Sequence, residues 1–144
     1  MKKPLKRQRI PIRPYYVVNI FLAGIIMMVF IYSGLFSARE KNYPVPSFYE
    51  KITGKPAPSS GLSRAFSEIV RGNLDAAWEY NRESLLIFSF FLIQLVQRIF
   101  VILLLYKHIP RIQYLLLADM ATSILLFLFC FKGQLQAMVK LIFA

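Results

Sequence analysis

The chain of 144 residues contains one cysteine, one histidine and few acidic side chains. Cys130 alone excludes a disulfide within the chain, and the sequence has no spacing typical of metal ligands. The 7 Asp and Glu residues are outnumbered by 18 Lys and Arg residues, which leaves a formal net charge of +11. Because the residues that usually bind metals are scarce, we expect no metal and no cofactor. The excess of basic residues is a separate feature, and its position along the chain explains it.

The distribution of the basic residues indicates membrane topology and argues against a nucleic-acid partner. Six of them lie before residue 14, directly ahead of a long apolar run, whereas the segment 38–84 has seven basic and six acidic residues. Lys and Arg are concentrated in the cytoplasmic segments next to membrane spans. We predict that residues 1–14 form a basic cytoplasmic tail and that no nucleic acid is bound.

Apolar residues make up 57% of the chain and are grouped into three long runs. The first run, 15–37, is free of charge, the run at 85–106 contains Arg98, and the run at 113–131 contains Asp119. The third span is assigned to residues 113–133. About 20 helical residues cross the apolar core of a bilayer. The first run is also too long for the apolar part of a signal peptide. The predicted fold is an all-α integral membrane protein with three transmembrane helices in a single membrane domain.

The three predicted spans alternate across a membrane, which we take to be the bacterial cytoplasmic (inner) membrane. Span 1 leads from the cytoplasmic tail to a long external loop over residues 38–84. Span 2 returns to a basic connection at 107–112, where Pro110 favours a hairpin. Span 3 exits again and leaves an external tail over 134–144, which either extends the span or lies along the interface.

The external loop is predicted to contain two short interfacial helices. Apolar residues at helical spacing indicate a first helix from about residue 62 that ends at Gly72, and Asn73 is a suitable N-cap for a second helix. Helices this short do not persist alone in water, so both need an apolar partner such as the membrane surface. The predicted apolar face of the second helix consists of Leu74, Ala77 and Trp78.

The loop also carries a motif. Its pattern T-G-x-P-x-P-x-x-G-L-x-R-A, followed by R-G-N-L-x-A-A-x-x-x-N, resembles the bacterial membrane family known as domain of unknown function 2752. Members of that family show the motif Cys-Pro-x-Cys-Gly-x-Thr-Arg-Ala. The cysteine positions of the family pattern are Val45, Ala57 and Ser60 here, so the thiol or metal chemistry that it implies cannot operate in this divergent chain. What remains are turns and candidate recognition residues: Ser60, Gly61, Ser63, Arg64 and Asn81.

Two of the predicted spans carry polar residues at helical spacing. Span 2 has Gln94, Gln97 and Arg98, and span 3 has Asp119, Thr122 and Ser123. The spacing i, i+3, i+4 puts each triplet on one helical face. An unpaired charge inside the bilayer costs about 2.5–3.5 kcal/mol, so we expect Arg98 and Asp119 to pair across the hairpin. Contact with a partner protein's spans and an ion path are the alternatives.

Three functions are compatible with the sequence. The favoured one is a non-enzymatic subunit or assembly factor that contacts the lipid bilayer and binds another membrane protein or a second copy. An enzyme acting on lipid or peptide at the interface would need Ser60 or Ser63 as nucleophile and a general base. His108 lies on the opposite side in the predicted topology, which leaves Glu68 or Asp75. The third possibility is a small oligomeric transporter or channel lined by the polar residues of spans 2 and 3.

Overall fold

The computed structural model describes residues 12–36, 59–106 and 112–142, and all the regular secondary structure within these ranges is helical. The helices are α1 (Ile12–Leu35), α2 (Leu62–Val70), α3 (Leu74–Tyr80), α4 (Ser84–Tyr106), α5 (Ile112–Cys130) and α6 (Lys132–Ile142). The predicted basic tail up to residue 11, the loop segment 37–58 and the connection 107–111 lie outside the described residues.

Three of the helices are long and apolar enough to cross a membrane, which confirms the predicted three-span fold with short helices between spans 1 and 2. The first helix begins at Ile12, three residues ahead of the predicted boundary, and Pro14 is tolerated because it lies in the first turn. The third span ends at Cys130 instead of residue 133, because the helix is interrupted at Phe131 before α6 begins.

Helix α4 is central among the described helices. Helices α1 and α5 pack along it, and α2 and α3 also contact it. A small apolar core forms where Val101, Leu105 and Leu116 meet, and Tyr15 and Tyr16 pack against it. Most residues of the three spans face outward, since only 17–28% of their apolar windows are buried inside the protein. These outward faces are the surface that contacts the lipid bilayer.

Aromatic rings attach α2 to the two spans beside it. Phe66 of α2 is buried, and its ring packs edge-on against Phe88 and Phe91 of α4 at centroid distances of 5.2 and 5.9 Å. Phe88 lies 5.1 Å from the ring of Phe30 in α1. Each well-oriented aromatic pair contributes about 0.5–1.5 kcal/mol beyond its buried area. Helix α2 is therefore fixed between the C-terminal half of α1 and the N-terminal half of α4.

A second aromatic group joins the start of α4 to the end of α5. The ring of Phe131 lies 5.2 Å from Phe90 in an edge-on contact and 4.8 Å from Phe127 in a stacked one. Because α6 begins at the next residue, it starts at the same end of the bundle as α2 and α3. The three short helices therefore share one end of the molecule.

The turn between α2 and α3 has both the predicted helix end at Gly72 and the predicted N-cap residue, Asn73. Gly72 adopts φ of +82°, and the N–H groups of Gly72 and Asn73 donate to the carbonyls of Ile69 and Glu68, each at 2.9 Å. This is the Schellman arrangement that ends a helix. Asn73 is the N-cap residue of α3, as predicted, but its side chain makes no capping hydrogen bond. Its amide donates instead to Glu68 Oε2 at 2.8 Å, because that carboxylate is buried and requires donors.

Candidate functional site

Seven polar side chains from α1, α4 and α5 meet inside the membrane-spanning part of the molecule. We call this set the polar cluster; it consists of Tyr15, Asn19, Gln94, Gln97, Arg98, Asp119 and Ser123. Arg98 is 5% exposed, Asp119 6% and Asn19 0%. Polar groups at this depth have no water to bond, so they must satisfy one another.

The centre of the polar cluster is a two-pronged ion pair between α4 and α5. Arg98 Nη2 lies 2.8 Å from Asp119 Oδ1, and Nη1 lies 3.0 Å from Oδ2. Parallel N–H···O bonds of this kind are the strongest geometry available to a guanidinium and a carboxylate. The structure thus brings together the two charged residues that the sequence placed in neighbouring spans.

The remaining Nη hydrogens of Arg98 are also bonded. Nη1 donates to Asn19 Oδ1 at 2.7 Å, and Nη2 donates to Ser123 Oγ at 2.6 Å. Asn19 is oriented by its own amide, which donates to the Tyr15 carbonyl at 2.8 Å. Of the three guanidinium nitrogens of Arg98, only Nε has no acceptor within the described residues. The guanidinium therefore ties all three spans together.

The carboxylate of Asp119 accepts two further hydrogen bonds. The Tyr15 hydroxyl donates to Oδ2, and Gln97 Nε2 donates to Oδ1 at 2.5 Å. Gln97 is positioned by Gln94, whose amide donates to Gln97 Oε1 at 3.2 Å. Four donors surround one buried carboxylate, which offsets the cost of removing its charge from water.

Tyr15 and Asn19 were not among the residues that sequence reasoning selected. Asn19 is an amide in the middle of a charge-free apolar run, and Tyr15 lies one helical turn before it. An amide inside a span commonly bonds to a neighbouring helix, so Asn19 was a usable signal. Which residue it meets depends on how α1 is rotated against α4, and the sequence carries no information on that.

Thr122 belongs to the predicted stripe but does not join the polar cluster. Its hydroxyl is exposed and donates to the Ala118 carbonyl of its own helix at 2.7 Å. Ser123 follows Asp119 by four residues and stays on the same face, whereas Thr122 follows by three and is turned away by about 100° from Ser123. The predicted triplet in α5 is therefore divided between the polar cluster and the lipid-facing surface.

A groove of about 290 Å³ runs between α4 and α5 and exposes one edge of the polar cluster. We call it the α4–α5 groove. Gln97, Asp119 and Thr122 are its polar residues. Its apolar walls are formed by Phe100, Val101, Leu104, Leu105, Leu115, Leu116 and Ala118.

Three of the candidate loop residues come together at the base of α2 and α3. The Asn81 amide donates to the Ser60 carbonyl at 3.0 Å, and Asn81 Oδ1 accepts the Glu83 N–H at 2.9 Å. Gly61 adopts φ of +78°, and a Cβ atom there would overlap the Tyr80 carbonyl oxygen. Gly61 and Asn81 of the motif, 20 residues apart in sequence, therefore hold the start of α2 against the end of α3.

Two other loop candidates, Ser63 and Arg64, are exposed in the first turn of α2. Ser63 was one of the two suggested nucleophiles, with Glu68 as a possible base. Glu68 is buried and accepts a hydrogen bond from Asn73. Within the described ranges, no group of three His, Cys, Asp or Glu side chains is placed to hold a metal ion.

Arg71 was missed by sequence reasoning and proves to join α2 to α1. Its Nη1 donates to the carbonyls of Ser67 and Ser33 at 2.8 and 3.2 Å, and its Nη2 donates to the Gly34 carbonyl at 3.0 Å. Ser33 and Gly34 belong to the last turn of α1, where carbonyls lack helical partners and a positive charge is favoured. Arg71 caps the end of α1 from a position 37 residues after Gly34, so no short stretch of sequence predicts this contact.

Comparison with known proteins gives one match. The family model described as "Protein of unknown function (DUF2752)" matches residues 48–95, which is a third of the chain. The matched segment contains α2, α3 and the first half of α4, and it excludes Arg98 and Asp119. No curated protein and no solved structure shows significant similarity to the chain. Over residues 48–95 the chain therefore matches the DUF2752 family of proteins of unknown function, which confirms the resemblance seen in its motif.

Proposed function

We propose that this protein is a non-enzymatic subunit or accessory factor of a membrane complex. Its binding surface in this proposal is the α4–α5 groove, and the occupant is a transmembrane helix of another membrane protein. The observation that carries the proposal is an open groove on the lipid side of α4 and α5, lined mainly by apolar side chains and bordered by Gln97, Asp119 and Thr122.

The chemistry of the groove favours a helix over lipid chains. Gln97 is half-buried and donates to Asp119, whereas Thr122 is exposed and donates to the Ala118 carbonyl of its own helix. The Thr122 oxygen can still accept a hydrogen bond from a partner helix, with a net gain of about 0.6–2 kcal/mol. Ala118 and Thr122, one turn apart, are small residues of the type that lets two helix backbones approach closely.

The packing of α5 also supports a partner. Within the described part of the chain, the backbone of α5 lies close only to α4 and the start of α6, and α1 reaches it through side chains such as Tyr15. About 17% of the apolar window of α5 is buried. The ion pair between Arg98 and Asp119 is already satisfied inside the chain, so a partner is not needed to neutralise a charge. A partner helix would instead supply apolar contact and select for a matching polar group.

Photocrosslinking in intact membranes tests the proposal. A photoreactive amino acid at Leu115 or Thr122 should give one discrete adduct with the same partner protein, because both positions border the α4–α5 groove. The matched control is Phe21, which is 66% exposed on α1. It should give no discrete adduct, because it faces lipid away from the groove.

Substitution then tests whether the contact matters. Ala118→Leu should fill the α4–α5 groove and reduce co-purification of the crosslinked partner, while Phe21→Leu should leave it unchanged. Adducts with lipid alone at both groove positions would overturn the proposal. An adduct of twice the mass of the chain would replace it with self-association.

A further inference from the structure

Helix α3 leaves two large apolar side chains uncovered. Leu74 and Trp78, one turn apart, are each 51% exposed, whereas Ala77 is completely buried. The predicted common face of these three residues is therefore divided. Ala77 faces the protein, and Leu74 and Trp78 form a separate apolar edge.

The position of α3 is fixed close to the start of a membrane span. The Ser84 hydroxyl donates to the Ala77 carbonyl at 3.3 Å, and α4 begins at Ser84, four residues after α3 ends at Tyr80. Helix α3 also packs against α2, which is inserted between α1 and α4. An element tied this closely to the end of a span lies at the level of the lipid headgroups.

We propose that α3 is a membrane-interface anchor that inserts Leu74 and Trp78 into the lipid leaflet at this end of the bundle. Trp is favoured at that depth because its ring has an apolar body and a polar N–H. Asp75 and Glu79 lie about 100° around the helix from Leu74 and Trp78, so both carboxylates stay in water when the apolar edge is inserted. The occupant of this surface is the bilayer itself.

The charge of the segment indicates that insertion does not depend on anionic lipid. Residues 59–83 contain three basic and four acidic side chains. One of the three basic residues, Arg71, is already engaged with the carbonyls at the end of α1. Electrostatic attraction to negative headgroups needs clustered positive charge, which these residues lack. The anchor should work equally well in zwitterionic vesicles.

The chain contains a single tryptophan, so its fluorescence reports on α3 directly. The full-length protein is reconstituted into phosphatidylcholine vesicles, with and without anionic lipid. We expect a blue-shifted Trp78 emission, loss of emission with phosphatidylcholine brominated along its chains, and little quenching by aqueous acrylamide. These results should be the same in both lipid mixtures.

Two variants sharpen the test. Leu74→Glu puts a charge on the inserted edge, so Trp78 emission should shift to the red and acrylamide quenching should rise. Glu79→Gln changes the water-facing side and should leave both unchanged. Strong acrylamide quenching of the wild-type protein without quenching by brominated chains would overturn the proposal. Shielding from both quenchers would also overturn it, because a second copy of the chain would then cover α3. The wild-type result decides even if Leu74→Glu does not fold.

Discussion

At the scale of single residues, Arg98 is the most demanding side chain in the molecule. It lies about 12 Å from the Tyr106 end of α4, where a lone charge costs about 2.5–3.5 kcal/mol. Hydrogen bonds to Asp119, Asn19 and Ser123 offset that cost, and they require residues of α1 and α5 to lie next to Arg98. These bonds join α1, α4 and α5 around one side chain, so the polar cluster restricts how the three spans can pack.

Exchanging the charges of Arg98 and Asp119 should show whether their ion pair itself stabilises the fold. Arg98→Asp and Asp119→Arg each place two like charges in contact, and each should lower stability by about 3–5 kcal/mol, as expected when a buried pair is broken. The double variant restores opposite charges and should recover part of the loss. Thermal unfolding in mild detergent and the yield of folded protein in membranes measure the effect.

The control for this exchange is Thr122→Val, which alters an exposed hydroxyl bonded within its own helix. It should change stability by less than about 0.5 kcal/mol. A double variant no more stable than the two single variants would show that the pair itself does not stabilise the fold.

At the scale of elements, α2 and α3 act as one unit that is closed at both ends by glycines. Gly72 ends α2, and Gly61 allows the start of α2 to approach the end of α3. Both have positive φ, but they differ in their surroundings. A Cβ on Gly61 would overlap the Tyr80 carbonyl, while a Cβ on Gly72 would meet nothing within 4 Å.

The two glycines form a matched pair for mutagenesis. Gly72→Ala should cost about 1–2 kcal/mol, which is the conformational strain of a left-handed residue. Gly61→Ala carries the same strain and must also push the Tyr80 backbone away, so it should cost more and break the bond from Asn81 to Ser60. Amide hydrogen exchange over residues 59–83 measures both, and equal protection in the two variants would contradict the role assigned to Gly61.

At the scale of the whole molecule, three spans place the short helices α2, α3 and α6 at one end. The distribution of Lys and Arg predicts that this end faces outward and that the N-terminus is cytoplasmic. The helices themselves are compatible with either orientation, because an inverted bundle has the same internal contacts. The prediction therefore rests on the basic residues of the N-terminal tail and of the connection at 107–112.

Cysteine accessibility in a bacterial host tests this orientation. With Cys130→Ser as background, Asp75→Cys should react with a membrane-impermeant maleimide in intact cells. Lys3→Cys should react only after the membrane is permeabilised. The opposite labelling pattern would invert the predicted topology.

The sequence alone was sufficient for the elements whose signals are local. Three long apolar runs predict three spans because a helix in lipid bonds its own backbone and needs only apolar side chains outside. Gly72 marks the end of α2 for a similar reason, since a left-handed residue is a local requirement. Periodicity also identified Arg98 and Asp119 as residues that need partners in the membrane.

Only the tertiary structure decided which side chains meet. The relative rotation and spacing of helices far apart in sequence decided the contacts of Asn19, Tyr15 and Arg71. Thr122 lies outside the polar cluster because consecutive helical residues point about 100° apart and the neighbouring Ser123 faces the cluster. In the same way Leu74 and Trp78 stayed exposed because Ala77 occupies the protein side of α3. Residue types show the local needs of the backbone and the need of a charged side chain for a partner. Which side chains meet depends on how the whole chain packs, and no short sequence pattern determines that.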